Sequence, residues 1–127
     1  MRNLPVFGQK CPPATQDVAL NLKNRQRCID VAMYGPANPM LPNIDYWKKL
    51  ASIWGISVSE AQTMRCGNCA AFNISKQAID CIKKGIGGDD ALHVQQAGHL
   101  GFCEFFKFKC ASARTCSAWV VGGPIRG

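Results

Sequence analysis

The feature of this chain that most constrains its fold is a frame of four cysteines in the C-terminal half. Cys66 and Cys69 form a Cys-x-x-Cys pair, Cys103 follows in a segment rich in phenylalanine, and Cys116 comes three residues before Trp119. Two thiols at the first spacing can bind one metal centre from a single turn, and two later thiols complete a set of four. The frame therefore predicts a centre at which distant segments of the chain meet.

This frame resembles the high-potential iron–sulfur protein (HiPIP) family, whose pattern is a Cys-x-x-Cys, a Gly-x-Cys and a final cysteine closely followed by tryptophan. The resemblance covers the C-terminal half and implies a HiPIP-like, cluster-binding part with short strands. It implies a cuboidal 4Fe–4S cluster whose ligands would be Cys66, Cys69, Cys103 and Cys116.

Aromatic residues flank these cysteines and would keep water away from a bound cluster. A dry surrounding protects such a cluster and helps to set its reduction potential. The residues predicted to form this cage are Phe72, Phe105, Phe106 and Trp119.

The chain has eight cysteines, so four others need a role. Cys81 and Cys110 are alternative ligands, and Cys81 is also a candidate for a buried free thiol on the apolar side of a helix. Cys11 with Cys28 is a plausible disulfide, although connectivity cannot be read from sequence. Zinc is the alternative metal, but it ranks below iron–sulfur because a zinc ribbon usually carries a second Cys-x-x-Cys.

Composition predicts one small domain. The chain has 127 residues, of which 47% are hydrophobic, with 12 glycines and 7 prolines. A core is possible, but a loop-heavy fold of this size usually needs extra fastening. We expect a single α+β domain over 1–127, α-rich and loop-heavy, with an N-terminal arm and helical extension over 1–64 and a cysteine-rich, cluster-binding part over 65–127.

Hydrophobic periodicity and capping residues predict five helices. The first spans 16–33, and the second is capped by Asn43 and ends at Gly55. A capping box at 57–60 begins the third, which ends at 64 or 65. The fourth starts near 75 and stops at Gly85, and the fifth covers 89–97. Alternation over 106–110 predicts a strand, and 117–121 is expected to be another extended piece.

Charge and motifs favour a protein that works through other proteins and is not an enzyme. The net charge of +7 comes without a nucleic-acid-binding motif, so nucleic acid is an improbable partner. No nucleophile is paired with an identifiable base. Trp47 and Trp54, seven residues apart on one helix, are candidates for core packing or for a partner interface.

The N-terminus shows no apolar stretch of signal-peptide length, and no segment is long enough to span a membrane. We therefore expect synthesis in the host cytoplasm and no membrane contact. More loosely, the segments 34–39 and 64–72 resemble small uncharacterised bacteriophage proteins, which implies a virion or assembly component bound to other virion subunits in an oligomeric assembly.

The predicted function is a 4Fe–4S cluster-binding structural protein whose cluster stabilises the fold. One alternative is a soluble one-electron carrier of HiPIP type. A second is a structural protein held together by disulfides or zinc.

Overall fold

The computed structural model describes residues 11–36 and 38–127, and within them the chain is a small α+β protein. This confirms the predicted class, while most of the predicted N-terminal arm lies outside the described residues. The helices are α1 (Pro13–Gln16), α2 (Val18–Ala32), α3 (Ile44–Trp54), α4 (Val58–Ala61), α5 (Lys76–Ile86) and α6 (Ala91–Gly98).

A three-stranded antiparallel sheet carries part of the site. Its strands are β1 (Phe72–Asn73), β2 (Leu100–Cys103) and β3 (Phe108–Ala111), in that spatial order. Of these strands, only β3 was predicted, and it begins two residues later than the predicted range 106–110. The segment 117–121 forms turns and bends, so the extended piece predicted there is wrong.

Several helix boundaries follow the predicted capping chemistry. Gly55 ends α3 in the left-handed conformation, at φ 70°, and Ser57 and Glu60 form the predicted capping box. Asn43 does not cap α3 with its side chain. Its amide instead donates to the carbonyl oxygens of Asn38 and Leu41 and so closes the preceding loop.

Two predicted helix ends are wrong. α4 stops at Ala61, earlier than expected. α5 continues through Gly85 to Ile86, and the next residue, Gly87, adopts φ 74°. Gly85 is needed inside the helix because a Cβ there would overlap the carbonyl oxygen of Thr15, where α1 crosses α5.

The sheet separates two of the three buried cores. Alternate residues of a strand point to opposite faces, so Cys103 and Cys110 share one face while Phe102 belongs to the other. Phe102 packs with Ala14 and Ile82 in the core behind the sheet. The thiol-bearing face belongs to the largest core, and a further core lies between α3 and α4.

One disulfide joins Cys11 to Cys81, which ties the segment before α1 to α5. The expected pairing of Cys11 with Cys28 is therefore wrong. Cys81 is buried as predicted, but it is neither a free thiol nor available as an alternative ligand, because its sulfur is already bonded.

The two tryptophans of α3 both serve contacts within the chain. Trp47 is only 4% exposed and lies under the guanidinium of Arg65. Its ring therefore packs in the core, as one of the two interpretations predicted, and is not exposed for a partner. Trp54 donates its ring N–H to the carbonyl oxygen of Ser117 and contacts the ring of Trp119.

Among the helices of the described residues, none has the length and apolar character that a membrane span requires.

Candidate metal centre

The six cysteines outside the disulfide all carry free thiols and all lie in or against the largest core. The fold thus brings the four predicted ligands together despite the long excursion between the second and the third. It also adds two further thiols to the same region. The six are Cys28, Cys66, Cys69, Cys103, Cys110 and Cys116.

Five of these thiols line one cavity, and Cys28 packs in the same core without lining it. The cavity volume is about 20 Å³. Apart from the thiols, the lining side chains are apolar. The cavity is lined by Cys66, Cys69, Ala71, Phe72, Cys103, Phe105, Cys110, Cys116, Ala118 and Trp119.

A short 3₁₀ turn, Cys66–Asn68, begins at the first cysteine of the Cys-x-x-Cys pair and ends just before the second, and it is anchored to residues that follow β3. The backbone N–H of Cys66 donates to the carbonyl oxygen of Arg114 at 2.6 Å, and that of Gly67 donates to Ser112 at 2.9 Å. A Cβ at position 67 would lie 3.0 Å from the Cβ of Ser112, so glycine permits this close approach.

Cys103 and Cys110 reach the cavity from the β2–β3 ribbon. Cys103 lies opposite Phe108, and Cys110 lies opposite Gly101, which makes the two cysteines diagonal neighbours on one face. A Cβ at Gly101 would collide with the ring of Phe72, so this glycine leaves room for the aromatic wall.

Cys116 is held against the end of α2 by backbone pairing on both sides of it. Thr115 and Gly35 exchange two hydrogen bonds, and the N–H of Ser117 donates to Ala32 at 2.6 Å. This arrangement places Cys116 against Cys28, whose thiol hydrogen-bonds to it. The sequence reasoning missed Cys28, although its position one helical turn before buried Ala32 was a usable signal.

Backbone N–H groups point at several of the sulfurs. Cys69 Sγ accepts from Ala71 and Val120, both at 3.5 Å, and Cys103 Sγ accepts from Phe106 at 3.4 Å. Such donors stabilise negative charge on sulfur and are among the interactions that tune iron–sulfur centres. The donor set therefore fits thiolates that hold a metal centre.

The pKa values of the thiols are shifted in opposite directions. The hydrogen bond from Cys110 lowers the pKa of Cys103 to about 7, and the one from Cys28 lowers the pKa of Cys116. Burial, together with its bonds to Cys103 and Cys66, raises the pKa of Cys110. Burial also raises the pKa of Cys69. Negative charge thus collects first on two of the predicted ligands.

Three of the four predicted cage aromatics line the cavity. Phe72 is buried in its wall, Trp119 is partly buried, and Phe105 is 55% exposed at its open side. Phe106 packs against the core without lining the cavity, and the guanidinium of Arg27 lies over its ring, 5.6 Å from the centroid.

Arginines surround the thiol-bearing core. Arg25 and Arg114 lie over the ring of Tyr34, at 5.7 and 5.6 Å from its centroid, while Arg65 directly precedes the cysteine pair. Arg25 and Arg114 thus make cation–π contacts with a buried ring of this core.

The thiols meet in pairs and do not converge on one point. Cys110 is hydrogen-bonded to Cys103 and to Cys66, and Cys28 is hydrogen-bonded to Cys116. Over residues 11–36 and 38–127, no three side chains of His, Cys, Asp or Glu are gathered as a site for one metal ion. A single zinc ion would need four ligands within about 2.3 Å of one centre.

No protein-family model matches this chain, and no curated protein or solved structure is similar to it.

Proposed function

We propose that this chain is a structural protein that binds a 4Fe–4S cluster through Cys66, Cys69, Cys103 and Cys116. The observation that carries the proposal is the convergence of these thiols on one apolar cavity, with backbone N–H groups directed at the sulfurs. When bound, the cluster supplies iron–thiolate links between the segments that bear the four cysteines.

The role of such links follows from how little regular structure holds these segments. Cys66 begins a three-residue turn, Cys69 follows that turn, and Cys116 lies in a stretch without helix or strand. Metal binding to thiolates contributes free energy directly to folding when the ligands come from segments that are otherwise weakly held. The cluster would therefore stabilise the C-terminal half.

The proposal includes a setting in a bacteriophage particle or its assembly, with other virion subunits as partners. This part depends on the looser sequence resemblance and on the basic net charge of +7. Testing it requires detecting the protein in purified particles, separately from the chemistry of the site.

The test of the cluster is anaerobic reconstitution with ferrous iron and sulfide, followed by thermal unfolding. We expect visible thiolate-to-iron absorption and a higher midpoint of unfolding, because a ligand that binds only the folded state stabilises it. An iron chelator should reverse both changes. Uptake without stabilisation would contradict the structural role, and saturation by zinc alone, with equal stabilisation, would favour the zinc alternative.

A one-electron carrier is the second candidate, because the exposed ring of Phe105 is at the open side of the cavity. Electron exchange needs a cluster edge close to solvent. Cyclic voltammetry of the reconstituted protein should then give a reversible wave, and the absence of a wave would remove this candidate.

A further inference from the structure

Cys110 is a buried thiol that the proposed ligand set does not use, yet it lines the same cavity. It is 2% exposed and lies on β3, opposite Gly101. It is the diagonal neighbour of Cys103 on one face of the β2–β3 ribbon. The turn that begins at Cys66 is hydrogen-bonded to Ser112, two residues beyond Cys110, and Cys66, Cys103 and Cys110 line the same cavity.

We propose that Cys110 is a reserve ligand, able to replace Cys66 or Cys103 at the cluster. This inference rests on the proposed function. The position of Cys110 relative to these two cysteines is fixed by backbone geometry.

The exchange balances without an oxidant or reductant. Cys110 would hold the iron as a thiolate in place of Cys66, and the displaced Cys66 thiolate would take up the proton that Cys110 loses. Charge and electron count at the metal stay the same, and the same exchange applies to Cys103.

Cys69 offers the matched control, because its surroundings differ in kind. Its Sγ accepts hydrogen bonds from the backbone N–H groups of Ala71 and Val120. We therefore expect Cys110 not to fill the ligand position that loss of the Cys69 sulfur leaves.

The experiment compares cysteine-to-alanine variants after anaerobic reconstitution with ferrous iron and sulfide. Iron and sulfide are counted per chain, and resonance Raman spectra report the iron–thiolate bonds. We expect C66A and C103A to keep a full cluster with shifted iron–thiolate bands, and C110A to keep the iron and sulfide content of the wild type. C69A should lose the full cluster, as should the double variants C66A/C110A and C103A/C110A.

The inference is overturned if C66A and C103A bind no more iron than the two double variants. It is also overturned if C110A alone loses the cluster, since Cys110 would then be an obligatory ligand. Failure of the wild type to bind iron and sulfide would instead refute the proposed function.

If the alanine variants fail to fold, C66S and C103S nearly keep the side-chain volume and test the same recruitment of Cys110. Iron X-ray absorption then distinguishes four sulfur ligands from the chain, as expected with Cys110 recruited. Three sulfurs and the introduced hydroxyl oxygen would contradict the inference.

Discussion

The ring N–H of Trp119 donates a hydrogen bond to the carbonyl oxygen of Arg65 at 3.0 Å. This bond connects the residue before Cys66 to the residue three positions after Cys116. The same N–H lies 3.0 Å from Asn68 Oδ1, within the turn that begins at Cys66. The two ends of the ligand frame are therefore held together by one side chain.

We predict that Trp119→Phe weakens this connection. The substitution keeps an aromatic wall but removes the N–H, which should lower the free energy of unfolding by about 1 kcal/mol. In reconstituted protein, iron should pass to a chelator faster than in the wild type. Chelator-capture kinetics and denaturant unfolding measure the two effects.

The control is Ile82→Val, because Ile82 is buried in the separate core behind the sheet, and such a substitution costs about 0.5–1.5 kcal/mol. It should affect unfolding without accelerating iron release. Equal acceleration by both variants would contradict a specific role for Trp119.

The disulfide is predicted to act independently of the metal centre. Cys81 belongs to α5, which packs on the face of β2 opposite the thiols. The bond closes a loop with a sequence separation of 70, for which chain entropy gives an upper value of about 4 kcal/mol. A Cys11→Ser, Cys81→Ala double variant should lose about 2–4 kcal/mol of unfolding free energy, measured by denaturant titration.

Iron and sulfide content should be unchanged in that double variant. Loss of iron in parallel with stability would show that the two cores are not independent, or that one of these cysteines is a ligand after all.

The sequence pointed to four of the five cysteines that line the cavity as ligands, but it did not identify all six free thiols of this region. Cys66, Cys69, Cys103 and Cys116 line one cavity without meeting at a single point, and the short-spaced pair and the aromatic-rich context are the local signals that pointed to them. Cys28 was missed because its role depends on α2 lying against Cys116, which is a long-range contact.

Disulfide connectivity failed for a related reason. Cys11 meets Cys81 only because α1 crosses α5 at Gly85, and nothing near Cys11 in the sequence encodes that crossing. β1 was equally hidden, since two residues are too few for a periodic pattern. Caps and glycine stops depend on neighbouring residues, and several of them were therefore predicted correctly.

The metal-free protein should show a pH dependence from Cys103. Its pKa in the folded state is about 7, below the ordinary 9.0, because Cys110 donates a hydrogen bond to it. A lowered pKa means that the unfolded chain binds more protons between these values. The stabilisation from this thiolate is therefore complete above pH 9 and is lost as the pH falls through 7.

This dependence is measured as the difference in unfolding free energy between metal-free wild type and Cys103→Ser across that range. We expect the difference to grow in favour of the wild type as the pH rises. A difference that stays flat from below pH 7 to above pH 9 would contradict the assigned hydrogen bond.

The most direct test of the central claim is the iron and acid-labile sulfide content of protein purified without oxygen, together with its visible spectrum. The account predicts a brown protein with about four iron and four sulfide per chain, the composition of a 4Fe–4S centre. A colourless protein without iron or sulfide, or one that contains only zinc, would contradict it.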